Sequence, residues 1–256
     1  MNILVFDTET VGVITQDLLN VGYKIVDLNP ATATYATLVK RDYLVKDLYN
    51  NTPLMINDMF VGAEKYGKYT ALLESKQIIK HSIEKIFDIM RNDLAKYKPL
   101  FAFAFNSSFD TDKFEKTADK CKIENPLNNL TVHDIWAYAT NYICRTDEYI
   151  AWAKANEIFT ESGCYIKTSV ESIVKFLTNN LDFEESHTAL DDCGWETEIL
   201  VECVKRGCDI TKPMKKGGNI ASEKVFTENM VLPSGETVQF EYTKKYERNG
   251  VVKYKA

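Results

Sequence analysis

Three short acidic segments are the residues of this chain whose types and spacing could do chemistry. The first is Phe6-Asp7-Thr8-Glu9-Thr10, which follows the apolar run Ile3 to Phe6. Such a run predicts a buried strand, and strand side chains alternate between faces, so Asp7 and Glu9 share one face. Two carboxylates on one face at a strand end are unfavourable unless a cation neutralises them. A solvated strand end is the ordinary alternative. The second segment is Asn106-Ser107-Ser108-Phe109-Asp110, directly after Leu100 to Phe105. That run is almost wholly apolar, as expected of a strand buried on both faces. Asp110 would then stand on the first turn of a helix, at the sheet edge where open α/β folds place their sites. The helix macrodipole also favours an acid there without any chemistry. Asp112 reads as exposed on the same helix. The third segment is His187-Thr188-Ala189-Leu190-Asp191-Asp192. His187 lies just ahead of a helix and Asp192 one turn in, so both can face one site. A capping histidine and a first-turn acid are the plain alternatives.

Together the three segments resemble the motifs of the DEDD exonuclease superfamily, whose members include polymerase proofreading subunits, oligoribonuclease and ribonuclease T. The motif D-x-E matches Asp7 and Glu9, N-x-x-F-D matches Asn106, Phe109 and Asp110, and H-x-A-x-x-D matches His187, Ala189 and Asp192. The order agrees, and the resemblance covers roughly residues 1–210. Where a tyrosine subclass carries Y-x-x-x-D, this chain has Thr188, so it is similar to the histidine (DEDDh) subclass. Val11 stands where the family often has a second threonine before the glycine, here Gly12. The stretch between the second and third motifs is long, with an aromatic segment around Tyr138 to Trp152.

The resemblance implies an α/β fold with an RNase H-like core, a five-stranded mixed sheet flanked by helices. It implies two Mg²⁺ or Mn²⁺ ions held by Asp7, Glu9, Asp110 and Asp192, with His187 as general base and Thr8, Thr10, Asn106 and Phe109 against the substrate. The chemistry agrees. Phosphodiester hydrolysis needs a generated hydroxide and a stabilised leaving oxygen, which two hard ions about 4 Å apart supply. An imidazole of ordinary pKa, about 6.5, suits proton transfer from water. The implied activity is 3′–5′ removal of nucleotides from single-stranded DNA. A ribonuclease T-like or oligoribonuclease-like RNA 3′ exonuclease is the alternative, and a non-cutting adaptor is disfavoured by the complete acid set. The expected partners are single-stranded nucleic acid, DNA before RNA, and a DNA polymerase or replication protein. Phe109, Phe105 or Tyr138 could stack on bases, though aromatics in such a core more often only pack.

The elements that must position these residues are read from periodicity. Tyr23 to Leu28 and Tyr35 to Leu44 are candidate strands, separated by Asn29-Pro30. Tyr49 to Leu73 reads as loop and short helix. Ser75 to Tyr97 is the clearest helix, with Ile78, Ile79, Ile83, Ile86, Phe87, Met90 and Leu94 on one stripe. Ser107 to Lys120 reads as a helix, Ala137 to Phe159 as weakly helical and rich in aromatics. Thr168-Ser169-Val170-Glu171 matches a capping box opening a helix to about Leu177, and Thr188 to Arg206 is a helix stopped by Gly207.

At 256 residues, 45% hydrophobic and 12% aromatic, the chain can bury a full core. It divides by composition into residues 1–211, the expected exonuclease domain, and a basic, β-rich extension over 212–256. The extension holds nine basic and five acidic residues. Lysines and Arg248 interleave there with Tyr242, Tyr246 and Tyr254, and Asn249-Gly250 signals a β-hairpin. Such a hairpin suits guidance of a single strand or, equally, a solvated edge. The six cysteines contain no C-x-x-C pair, which argues against a zinc ribbon or a disulfide framework. The N-terminus turns acidic after four apolar residues, so neither signal peptide nor membrane span is expected and the cytoplasm is the expected location. The net charge of −6 argues against tight non-specific duplex binding but leaves room for a local basic groove, and two divalent ions would offset four of the acids.

Overall fold

Ile3 and Val5 point into one apolar cluster while Leu4 and Phe6 point into another. That alternation sets the layers: a sheet covered by helices on both faces. The computed structural model describes residues 1–12, 15–58, 61–215, 217–222, 224–246 and 252–255, with 244–246 and 252–255 described by backbone alone. Six strands form the main sheet: β1 (Asn2–Val11), β2 (Asp17–Asn29), β3 (Thr34–Val45), β4 (Ile79–His81), β5 (Phe101–Ala104) and β6 (Val132–Asp134). Their order is β4-β3-β2-β1-β5-β6. β1–β5, β5–β6 and β3–β4 pair in parallel, and β1–β2 and β2–β3 antiparallel, so β2 runs against the other five.

The sheet is mixed, as expected, but has six strands rather than five. The extra strand, β4, lies inside the stretch expected to be helical from Ser75. Ile78 and Ile79 continue the apolar spacing of the helix behind them, which hides the break. Ser82 makes the break: its backbone is extended and its hydroxyl accepts from the Lys85 N–H, starting α4 (Ile83–Tyr97). Ile79, half exposed, is then an edge-strand residue.

On the Leu4/Phe6 face pack α4 and α5 (Ser108–Cys121). On the Ile3/Val5 face pack α6 (Ile135–Ala139), which runs on into a π turn over Thr140–Cys144, α7 (Asp147–Ala155), α8 (Val170–Thr178) and α9 (Ala189–Lys205). The cap of α8 is Ser169, which accepts from Ser172 N–H, and not Thr168. Thr168 is fully buried, accepting from Trp136 Nε1 at 2.8 Å. The segment after β3 is more helical than its mixed composition suggests, forming α1 (Lys46–Tyr49), α2 (Thr52–Asn57) and α3 (Gly62–Glu74). The C-terminal part also departs from a lone hairpin. β7 (Tyr165–Ile166) pairs with β8 (Ile220–Ala221), and β9 (Val225–Val231), β10 (Thr237–Tyr246) and β11 (Val252–Lys255) form a separate three-stranded antiparallel sheet. β9 joins because Leu232 and Gly235–Glu236 close a tight turn that returns the chain along it. The Asn249-Gly250 turn lies outside the described residues, although the strands on either side of it, β10 and β11, pair antiparallel. All six cysteines are free, five of them buried. Among the described residues no helix is long and apolar enough to cross a membrane.

The crossing of α9 over β2 is a close backbone contact between a helix and the sheet. At Gly22 a Cβ would stand 2.2 Å from the Ala189 carbonyl carbon, so only glycine admits the helix this close. Beside it Asn20, fully buried, spends its amide on four partners. Its Nδ2 donates to Asp42 Oδ1 (2.6 Å) and the Tyr43 carbonyl (3.0 Å), and its Oδ1 accepts from the Ala189 N–H (3.0 Å) and the Tyr69 hydroxyl (3.4 Å). The start of α9 is thereby tied to β2, β3 and α3 at once. Gly22→Ala is expected to lower stability by about 1–3 kcal/mol or more, the range for overpacking. Gly194→Ala, in mid-α9 with nothing within 4 Å of the added carbon, is expected to raise stability by about 0.5–1 kcal/mol. Urea unfolding of the two variants reads the contrast, and equal midpoints would mean that the crossing tolerates a side chain.

Candidate metal centre

β1 carries two acids past the end of its buried run. Asp7 and Glu9 continue the Ile3/Val5 side, the side of α9, opposite Gly22 and Asn20 of β2, and a bulge follows Glu9. Thr8, buried and on the opposite side, gives both its N–H (3.1 Å) and its hydroxyl (2.7 Å) to Asp110 Oδ1. Asp110 stands in the first turn of α5, where β5 ends and Asn106 turns the chain with a left-handed φ of +58°. The Asn106 N–H is held by Asp134 Oδ1 at 2.9 Å. Thr10 is buried as well. Phe109, next to Asp110, keeps 36% of its surface exposed, with the Lys113 ammonium 4.7 Å from its ring centre.

From the other side α9 brings Asp192. Ligand atoms of Glu9, His187 and Asp192 all lie within 4.8 Å of one another, a possible acidic metal-binding cluster. His187 is exposed and left-handed, with φ +53°, immediately before α9. Asp191 turns elsewhere: its Oδ2 accepts from the hydroxyls of Ser186 (3.0 Å) and Thr188 (2.8 Å). Of the two adjacent acids, only Asp192 belongs to this cluster. Asp7 and Asp110 are not in that tight group, but they are coupled to it electrostatically.

Two further groups carry no mark in the sequence. Glu196 follows Asp192 by one helical turn, the spacing that places side chains on one face, and is 2% exposed. Lys65 of α3 reaches Glu9 Oε2 at 2.8 Å, while Lys68, on the next turn, donates to the Ser186 carbonyl just ahead of His187. α3 therefore bridges the two acid-bearing segments. Its lysines sit in a stretch of mixed composition that contains no motif.

Burial raises the carboxyl of Asp7 well above the ordinary range, and Asp110, Glu196, Glu9 and Asp192 each push it further. Asp7 is thus the acid on which all the others act. Burial also raises Asp110, against the two Thr8 hydrogen bonds that favour its charged form. Burial, then Glu9 and Glu185, lift Asp192 to about 8, with Lys65 opposing. Glu196 is raised by burial and by Asp110, against a hydrogen bond from the Phe105 backbone. Glu185 nearby is pushed up to about 7 by burial, Glu171 and Glu9. Two oxygens in this crowd, Asp192 Oδ1 and Glu196 Oε2, are buried with no hydrogen-bond partner. A buried carboxylate oxygen left so is neutralised either by a proton or by a cation. An all-carboxylate set with one imidazole at its rim fits a hard divalent ion such as Mg²⁺ or Mn²⁺.

A pH dependence results. Asp192 holds a proton in the ion-free fold up to about pH 8, whereas in the unfolded chain it loses it near pH 4. Between those values the fold binds more protons than the unfolded chain, so stability falls as pH rises, by up to about 1.4 kcal/mol per pH unit for one group. Ion-free protein is expected to melt at lower temperature at pH 8 than at pH 5. Millimolar Mn²⁺, which needs the deprotonated acids, should raise the melting temperature more at pH 8, and Asp192→Asn should flatten both effects. Equal ion-induced shifts at the two pH values would show that these acids do not take the ion. Compared with known proteins, the chain matches no family model and no curated protein sequence, so the chemistry of the site has to be read from its own residues.

Proposed function

We propose that this protein is a metal-dependent 3′–5′ exonuclease of the histidine subclass of the DEDD superfamily, built on an RNase H-like fold and acting on single-stranded DNA ends. The observation that carries the reading is the gathering of Glu9, His187 and Asp192 within 4.8 Å, with Glu9 and Asp192 acting on Asp7 and Glu9 on Asp110. These five residues come from three distant segments in the order of the three motifs. A mixed sheet flanked by helices is compatible with such a core, with one strand more than the five it implies. Asp7, Glu9, Asp110 and Asp192 would hold the ions.

When bound, two divalent ions would acidify a water and neutralise charge at the leaving oxygen. The chain's own groups do the rest. His187, exposed at the rim beside Glu9 and Asp192, accepts the proton of the attacking water. Asp110 is held in one orientation by the Thr8 amide and hydroxyl, and Asp7 feels the charge of Asp110, Glu9 and Asp192 together. Phe109, partly exposed beside Asp110, offers a ring face on which a terminal base can stack. Asp191 holds the loop ahead of α9 and takes no part.

The test is digestion of labelled single-stranded DNA and RNA oligomers of equal sequence with Mg²⁺ or Mn²⁺. Asp7→Asn, Glu9→Gln, Asp110→Asn and Asp192→Asn should each lower turnover by roughly two orders of magnitude or more while the protein stays folded. Asp191→Asn should stay near wild type. His187→Ala should slow turnover by about 10²–10⁴-fold and leave Mn²⁺ affinity essentially intact. A large loss of affinity instead would make His187 a ligand and not the base. Absence of nucleotide release from either oligomer under both ions would sink the exonuclease reading, and faster release from RNA would reassign the substrate.

A further inference from the structure

Glu196 is a buried acid that the resemblance leaves without a role. It is 2% exposed, its Oε2 has no hydrogen-bond partner, and its carboxyl takes a hydrogen bond from the Phe105 backbone at the end of β5. The charges that act on it most are Asp110 and then Asp192, and it is in turn the second strongest charge acting on Asp7. It lies one turn beyond Asp192 on the same face of α9, buried among the acids of β1 and α5. A glutamate packed only for shape in this position would be a poor residue: glutamine offers the same volume and no charge among four other acids. An unpartnered carboxylate oxygen, excluded from water in a group of other carboxylates, is what a cation ligand looks like before the cation arrives.

We propose that Glu196 is a fifth carboxylate of the metal centre, which together with Asp7 and Asp110 holds the inner of two divalent ions. The site then has two unequal halves. The inner half is made of three carboxylates drawn from β1, α5 and the second turn of α9, of which Asp110 and Glu196 are buried. The rim half is made of Glu9 and Asp192, with His187 beside them and the Lys65 ammonium already on Glu9. More negative ligands mean tighter binding. The inner half carries three carboxylates against two at the rim, where Glu9 already holds Lys65, so it should fill first and the rim half second. This assignment rests on the metal-dependent reading of the site and adds a residue to it.

The experiment is calorimetric titration of the full-length, ion-free protein with MnCl₂ at pH 8, for wild type, Glu196→Gln, Glu196→Asp and Asp192→Asn, with thermal melts of each at zero and saturating Mn²⁺. Wild type should show two classes of site. Glu196→Gln keeps the size of the side chain and mimics its protonated form, so a merely structural, protonated Glu196 would be replaced without effect. We expect instead that Glu196→Gln weakens the tighter class at least tenfold, shrinks the Mn²⁺-induced rise in melting temperature, and leaves the ion-free melting temperature unchanged or higher. Glu196→Asp, which keeps the charge on a shorter arm, should fall between the two. Asp192→Asn should weaken the other class. Wild-type affinity in both classes for Glu196→Gln, with Asp192→Asn impaired, overturns the role of Glu196 and leaves the metal centre standing. Absence of Mn²⁺ binding by wild type overturns both. If Glu196→Gln does not fold, the comparison of Glu196→Asp with wild type decides, and an unchanged tight class again overturns the proposal.

Discussion

The close crossing of α9 over β2 is the constraint on which the rest of this structure depends. Gly22 lets the helix backbone come within contact of the strand backbone, and Asn20 fastens its first N–H. Cys193 Sγ adds a contact to the Gly22 carbonyl at 3.3 Å. Because β1 pairs with β2 so that Asp7 lies opposite Gly22 and Glu9 opposite Asn20, the point of tightest approach is also the point where the acids of β1 meet those of α9. A looser crossing would still bury the apolar stripe of α9. It would not bring Asp192 to Glu9. Packing and site geometry are thus set by the same two small residues of β2.

That geometry concentrates negative charge around the buried carboxyls of Asp110, Asp192 and Glu196, and the surrounding protein offsets only part of it. Thr8 supplies two donors to Asp110, the Phe105 backbone supplies one to Glu196, and Lys65 neutralises Glu9. Asp192 Oδ1 and Glu196 Oε2 receive nothing. Each unsatisfied buried group costs about 1–3 kcal/mol, and more when charged. A fold does not hold several such groups side by side for stability. What remains is met by protons or, in the metal-dependent reading, by a cation.

Much of this is legible in the sequence because it follows from period. Asp7 and Glu9 inherit the face of Ile3 and Val5 by simple alternation, and Asp110 follows a run too apolar to be anything but a central strand. Composition does not separate Asp191 from Asp192; the hydroxyls of Ser186 and Thr188 separate them in space. Glu196 is hidden for a related reason. It lies two residues from Glu198, which is exposed and accepts from the Tyr35 hydroxyl at 2.6 Å, and nothing local tells a buried glutamate from an exposed one on the same helix. Its one signal is the single-turn spacing from Asp192. β4 escapes notice because Ile78 and Ile79 extend the stripe of α4 in register. α3 does so because its contribution, two lysines reaching across to β1 and to the loop before α9, is made through long side chains and not through an apolar face.

The neighbouring acids Asp191 and Asp192 carry a consequence of their own. Successive residues of a helix are rotated by about 100° about its axis, so two adjacent carboxylates point in directions that one ligand cannot share. One faces outward, where it latches the approach of the chain, and the other faces inward to the acids of β1. The angular offset makes the helix start a phase marker. Adding or deleting a single residue in the turn from Ser186 to Ala189 would leave the composition of this region and its helical propensity almost untouched. It would turn Asp192 away from the acids of β1.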